Sequence, residues 1–265
     1  MQLSHPEKIL CLCGSGLANR IQGIESSVLI AQEFRVPISI IWPVVSDINI
    51  KFNSLFETPS QATVHSLQGW KGINQIVKEF QPDFELNREF IDAHKFENSD
   101  DFLRLVANHS RPMIRTYRRI YPGKRRQQIL KFNKEIETEI EGKAHLSSGA
   151  VGVHVRRTDH QYATRISTNQ AFFHLVDSLP SDQNIFLCTD DDIVENEFRQ
   201  RYGNRVLANP KQSRNRDTER GMIEAAIDLA LLSRTKFIYG SAGSTFSKCA
   251  SFWGNIPLHI AHNFD

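Results

Sequence analysis

Short apolar runs, each closed by a glycine or polar turn and followed by residues at helical spacing, recur along this chain and narrow its fold more than any other feature. Lys8–Cys13 reads as a strand, Gly14-Ser15-Gly16 breaks it, and Leu17, Ile21, Ile24, Val28, Ala31 and Phe34 mark a helix over Leu17–Phe34. Val36–Trp42 is the next strand, so the chain opens as β, glycine turn, α, β, the start of a Rossmann-like unit. The dinucleotide signature is incomplete, because Asn19 stands where a third glycine would be. A second series runs through strand Ala150–Val155, helix Asn169–Leu179, strand Asn184–Cys188 and helices Ile193–Tyr202 and Thr218–Ser233. Strand Lys236–Tyr239 and helix Thr245–Trp253 close it. Strands alternating with helices imply parallel sheets. The expected fold class is α/β, with two Rossmann-like parallel-sheet domains, residues 1–145 and 146–265, facing across a cleft.

Between the two series the pattern weakens. Residues 43–100 show only short strands and turns; Asp100–Tyr121 is expected to be helical up to Pro122-Gly123, and Lys124–Glu141 to form a second helix. Gly142–Gly149 is the best linker. From Arg111 to Lys134 there are nine basic residues and no acid. That run suits a solvated helical face, or contact with an acidic membrane surface or anionic acceptor.

Composition excludes several classes. With 40% hydrophobic and 23% charged residues the chain is neither disordered nor collagen-like. Its 32 Lys and Arg against 30 Asp and Glu leave +2, too little for a general nucleic-acid binder. No run reaches the roughly 18–20 apolar residues of a membrane span, and the first fifteen residues lack a signal-peptide core. A cytoplasmic protein is expected, with peripheral contact at the inner membrane face through residues 111–134. Cys11, Cys13, Cys188 and Cys249 have no metal-site spacing and read as reduced, buried thiols.

Ligands of open parallel sheets bind beyond the carboxyl ends of the strands, and three such ends in the second half are polar. In His154-Val-Arg156-Arg157-Thr-Asp159 the two arginines point opposite ways, so at most one lines a cleft. An arginine fork suits a diphosphate and Asp159 could hold it; the alternative is an arginine pair that closes the sheet edge. Thr189-Asp190-Asp191-Asp192 could bind a metal, cap the next helix, or accept hydrogen bonds from a sugar or base. Gly240-Ser-Ala-Gly-Ser244-Thr245-Phe246 lets a backbone approach phosphate oxygens at a helix start, or is a plain turn. Asp228 lies in an apolar stretch and needs a partner, either through the Arg220, Glu224, Asp228 ladder or by facing a ligand.

These segments resemble a known family. His154-Val-Arg-Arg-Thr-Asp159 is similar to the first motif of the GDP-fucose-dependent α1,2/α1,6/protein-O-fucosyltransferase superfamily, nearest the nodulation-type α1,6 branch. Ile185–Asp191 is similar to its second motif and Asp228 through Ser247 to its third. Gly14-Ser-Gly16-Leu-Ala-Asn19-Arg20 is similar to its glycine-asparagine loop.

The resemblance implies an inverting, metal-independent GT-B transferase that takes GDP-fucose as donor substrate, needs no cofactor and acts on a glycan or lipid-linked oligosaccharide. It implies an N-terminal acceptor side and a C-terminal nucleotide-sugar domain. Arg156 would steady the leaving diphosphate, with His154 and Asp159 shaping that loop. Asp190, Asp191 and Asp228 would hold nucleotide or fucose, Ser244, Thr245 and Phe246 the phosphates and nucleotide, and Gly16 and Asn19 the donor. The branch's glutamate base is missing from His160-Gln-Tyr-Ala-Thr-Arg165, which leaves His160 as candidate base. The rivals are another nucleotide sugar on the same fold and a catalytically silent nucleotide-sugar binder.

Overall fold

The computed structural model describes residues 5–94, 96, 98, 100–124, 126–158 and 161–263. The chain divides into two compact units, Met1–Asn133 with Arg216–Glu219, and Lys134–Asn215 with Arg220–Asp265. Each carries one five-stranded sheet. No helix among the described residues is long and apolar enough to cross a membrane.

In the first unit the strands are β1 (Ile9–Leu12), β2 (Ile38–Val44), β3 (Ala62–Gln68), β4 (Phe84–Leu86) and β5 (Pro112–Ile114), all parallel in the order β3-β2-β1-β5-β4. Every residue of β1 is buried, as expected of the strand at the centre of a parallel sheet. Helix α1 (Leu17–Phe34) has the predicted bounds and ends at Arg35, which is left-handed at φ 57°. The stretch that gave no clear pattern contains β3, α2 (Trp70–Phe80), β4 and α3 (Arg88–Ala93). Ile73 and Phe80 of α2 pack with Leu10, Leu12, Ile41 and Met113.

Two helix expectations fail here. The helix placed over Asp100–Tyr121 is α4 (Asp100–Ala107) alone, and β5 follows it. Pro112 lacks an N–H and biases the residue before it toward extended backbone, which ends helix and starts strand. The helix placed over Lys124–Glu141 is α5 (Lys134–Gly142) alone. Among the described residues before it, several backbone N–H groups between Arg119 and Leu130 are taken by side chains of α1, in an irregular strap. Gln22 Oε1 accepts from Arg119 N at 3.1 Å and Ser26 Oγ from Ile120 N at 3.1 Å. Glu25 Oε1 accepts from Ile129 N at 2.8 Å and Leu130 N at 3.2 Å, while its Oε2 meets Arg119 Nη2 at 2.6 Å. Bonds to side chains thus replace the helical ladder, and the strap presents no helical face.

The second unit pairs β6 (Val151–Val155), β7 (Ile185–Thr189), β8 (Val206–Leu207), β9 (Ile238–Gly240) and β10 (Leu258–Ile260) in the order β10-β9-β6-β7-β8, again all parallel. Its helices are α5, α6 (Gln161–Ile166), α7 (Asn169–Asp177), α8 (Asp192–Tyr202), α9 (Glu219–Ser233, whose first residue belongs to the first unit) and α10 (Thr245–Gly254). Val151, Val153, Ile185 and Leu187 share a core with Phe172, Val176 and Phe198. Residue 145, where the two domains were expected to join, lies in a single 3-10 turn within this unit. Ion pairs hold α5 there: Arg220 on α9 donates to both oxygens of Glu139 at 2.9 Å, and Arg234 lies 2.8 Å from Glu141.

Glu25 has no exposed surface and its Arg119 partner is 11% exposed. Glu25→Ala should therefore cost about 3–5 kcal/mol, the scale of breaking a buried pair, read from urea unfolding. Arg220 holds the Glu139 carboxyl below the ordinary 4.5 of a glutamate, against the opposing effect of burial. A depressed carboxylate stabilises above its unfolded pKa, and the effect disappears as pH falls through the folded one. Glu139→Gln should lower Tm at neutral pH, and the gap from wild type should close below about pH 4.

Candidate active site

Parallel pairing sets Val155 of β6 opposite Thr189 of β7, and His154 opposite Gly240 of β9. The three polar loops therefore leave the sheet side by side at its carboxyl edge. Ser241 joins two of them: its Oγ accepts from Arg156 N at 2.9 Å and donates to His154 O at 3.3 Å. Asp190 joins the third. Its Oδ1 accepts from Arg157 N at 2.9 Å, and its Oδ2 from Arg156 Nη1 at 2.5 Å and Thr158 Oγ1 at 2.8 Å.

The two arginines have different partners. Arg157 turns into the protein, where its Nε bonds Asn169 Oδ1 at 3.0 Å, its Nη1 bonds Arg156 O at 2.8 Å, and its guanidinium lies 5.9 Å from the Phe172 ring centroid. Burial lowers its pKa, opposed by Asp190. Arg156, also half-buried, forms an ion pair with Asp190. Asp159, expected to hold the arginine fork, and His160 lie outside the described residues.

His154 is buried; its Nδ1 is 2.8 Å from Ser247 Oγ and its ring stacks on Phe246 at 4.8 Å. Burial pushes its pKa down to about 3, with Asp190 opposing and Arg156 adding to the shift. The ring is therefore neutral at physiological pH. Gly240 is required by close approach, since a Cβ there would sit 2.6 Å from Ser247 Oγ. Gly243 is required by its φ of 72°. Ser244 begins α10 in extended conformation and its side chain makes no cap bond, while Thr245 and Phe246 form the helix's first turn.

The remaining acids have protein partners. Asp191 caps α8 through Ile193 N at 2.8 Å. Asp228 meets Lys211 Nζ at 2.8 Å and Asn209 Nδ2 at 3.1 Å, so the Arg220–Glu224 pair does not extend to it. Burial raises the Asp228 pKa, against the pull of Lys211. Burial also works against the Lys211 ammonium, yet Asp228 keeps it charged. Lys211, Asn209, Ser241 and Ser247 were absent from the sequence-based site. The only signal for Lys211 was the need of an apolar-flanked Asp228 for a cation, and Arg220 at helical spacing was the nearer candidate. Among the described residues no group of three or more His, Cys, Asp or Glu gathers to hold a metal ion.

Gly16 and Asn19 belong to the first unit, where Gly16 begins α1. Ser15 is left-handed at φ 63° and is held by Asn19 Nδ2 on its Oγ at 2.7 Å and Arg20 Nε on its carbonyl at 3.0 Å. Arg20 also donates to Pro43 O at 2.6 Å and lies over the Trp42 ring. The Asn19 Oδ1 is buried without a hydrogen-bond partner among the described residues.

A ring with a pKa near 3 should show the neutral imidazole pattern in nitrogen NMR from pH 8 down to about pH 4. A His154 titration midpoint near the ordinary 6.5 would show that the ring is solvated rather than buried.

At the level of sequence, neither a family model nor a curated protein matches the chain. Solved structures do. The NodZ α1,6-fucosyltransferase soaked with GDP-fucose superposes with a TM-score of 0.63 at 19% identity, over 93% of this chain and 92% of that one. A point mutant of Arabidopsis thaliana FUT1 in complex with GDP gives 0.59 at 13% identity, over 98% and 71%. POFUT1 in complex with GDP-fucose gives 0.54 at 14% identity, over 96% and 98%. Both parallel sheets of this chain are thus accounted for: it has the GT-B-like α/β fold of the GDP-fucose-dependent fucosyltransferases, the superfamily that its motifs resemble.

Proposed function

We propose that this chain is an inverting, metal-independent glycosyltransferase that moves fucose from GDP-fucose to a hydroxyl of a glycan or lipid-linked oligosaccharide. One observation carries the reading: Arg156 is oriented by Asp190 beside the loop that starts α10, on a fold shared with fucosyltransferases bound to GDP or GDP-fucose. In the reaction the acceptor oxygen attacks the anomeric carbon from the face opposite the diphosphate. The sugar–phosphate bond breaks, its electron pair stays on the β-phosphate, and the acceptor proton passes to a base, for which His160 is the candidate. Charge grows on the diphosphate as it leaves. A guanidinium and backbone amides held in place beforehand stabilise that charge without reorganising.

Asp190 acts on this reading as a positioning residue, holding Arg156 while Thr158 and Arg157 N–H fix its own carboxylate. Ser244, Thr245 and the first turn of α10 receive phosphate oxygens. On this reading His154, Phe246 and Asp228 serve the nucleoside, and Gly16 and Asn19 belong to the N-terminal, acceptor-side domain. A cytoplasmic location with peripheral membrane contact belongs to the same proposal and is supported by the exposed Lys124, Lys131 and Lys134.

Arg156→Ala and Arg156→Lys should each lower turnover at saturating donor by roughly 10²–10³, since lysine keeps the charge but loses the fork. Arg157→Lys should lose stability more than turnover, because its bonds run to Asn169 and to the loop backbone. Single-turnover rates with circular dichroism decide this, and near-wild-type Arg156→Lys removes the mechanism. A thermal-shift panel tests the donor: GDP at 100 times its Kd should add about 2.7 kcal/mol. A shift with UDP but not GDP transfers the reading to another nucleotide sugar. GDP binding without donor hydrolysis makes the chain a silent binder.

A further inference from the structure

The carboxyl edge of the first unit's sheet carries a second cluster that no step above uses. Cys11 of β1 lies opposite Ile114 of β5, and Leu86 of β4 lies opposite the same Ile114. Three residues beyond that register the chain reaches Gly14 after β1 and Tyr117 after β5, while Arg88 comes two residues after the end of β4. Arg88, Tyr117 and Arg118 therefore follow strand ends on the edge where ligands of open parallel sheets bind. The Arg88 guanidinium is 5.0 Å from the Tyr117 ring centroid and that of Arg118 is 5.3 Å from it. Arg118 Nη2 donates to Tyr117 Oη at 3.1 Å and to Asp92 Oδ1; Arg88 Nε donates to Asp92 Oδ2 at 3.3 Å.

Two guanidiniums thus share one carboxylate and one ring, which holds like charges together and leaves a net positive charge. The side chains of Arg88 and Arg118 are 71% and 43% exposed. Among the described residues the terminal nitrogens of Arg88 and the Nη1 of Arg118 have no hydrogen-bond partner. Ordinary surface ion pairs match one cation to one anion. Here the guanidiniums are pre-oriented by ring and carboxylate on exposed side chains, and the Arg118 Nε is buried without a hydrogen-bond partner, an arrangement that suits a phosphate or carboxylate.

We propose that Arg88 and Arg118, ordered by Tyr117 and Asp92, form a subsite for the anionic group of a saccharide. The assignment of that saccharide as the acceptor rests on the transferase reading above. A lysine in place of either arginine would keep the charge but not the planar fork.

The test is a titration of the arginine Nε–H signals in proton–nitrogen spectra with glucose 6-phosphate, glucuronate and neutral glucose, each separately. Saturable shifts of Arg88 and Arg118 with either anionic sugar, and none with glucose, support the subsite. Which anion acts distinguishes a phosphoryl from a carboxyl acceptor. Arg118→Gln, checked for folding by circular dichroism, should weaken that response about 10- to 100-fold, the loss of a charged hydrogen-bond partner. Equal response to all three sugars, no response, or a response confined to Arg156 overturns the proposal. GDP titrated into the same wild-type sample tests the donor reading separately: no response to GDP removes the transferase while the sugar titration still decides the subsite.

Discussion

One carboxylate organises the site of the second unit. Asp190 takes hydrogen bonds from the Arg156 side chain, the Arg157 backbone and the Thr158 hydroxyl, and so fixes the turn that follows β6 against the end of β7. The Arg157 side chain bonds Asn169, while that of Arg156 pairs with Asp190 itself. An anion in the protein thus orders a cation, and the cost of ordering the long arginine side chain is met on folding.

The same rule, that a buried polar group must find a partner, shapes the rest of both units. Glu25 is buried in α1 and draws Arg119 and two backbone N–H groups onto itself, which turns a basic stretch into a strap. Asp228 is buried in α9 and draws in Lys211 and Asn209 from the loop after β8. In each case the carboxylate lies on a helix legible from its spacing, and the partner lies in a segment outside any helix or strand of the structure. Burial of His154 works the other way: with no carboxylate bonded to its ring, it remains neutral and stacks on Phe246.

Strands and helices of the two Rossmann-like series were legible because hydrophobic period is a local property. α1 matches its expected bounds, and β6, β7 and α10 differ by a residue or two. The short strands β4, β5, β8 and β10 were not legible, since two or three residues are too few to display a period. Helix propensity misled over residues 108–121 and 124–133, where Pro112 and the side chains of α1 override it.

Sequence by itself determined the α/β class, the parallel sheets and the three polar strand ends, because strand alternation and turn residues encode these without reference to distant parts of the chain. It also raised the expectation that Arg156 and Arg157 point different ways, since successive residues of an extended chain face opposite ways. Tertiary structure decided which partner each charge would find. Arg156 finds Asp190, Lys211 rather than Arg220 holds Asp228, and Arg88 and Arg118 meet over Tyr117 from two different strand ends. Those pairings join residues as far apart as 34 positions, Arg156 to Asp190. Only the register of the folded sheet sets their distance, because Coulomb attraction and desolvation act through space and not along the chain.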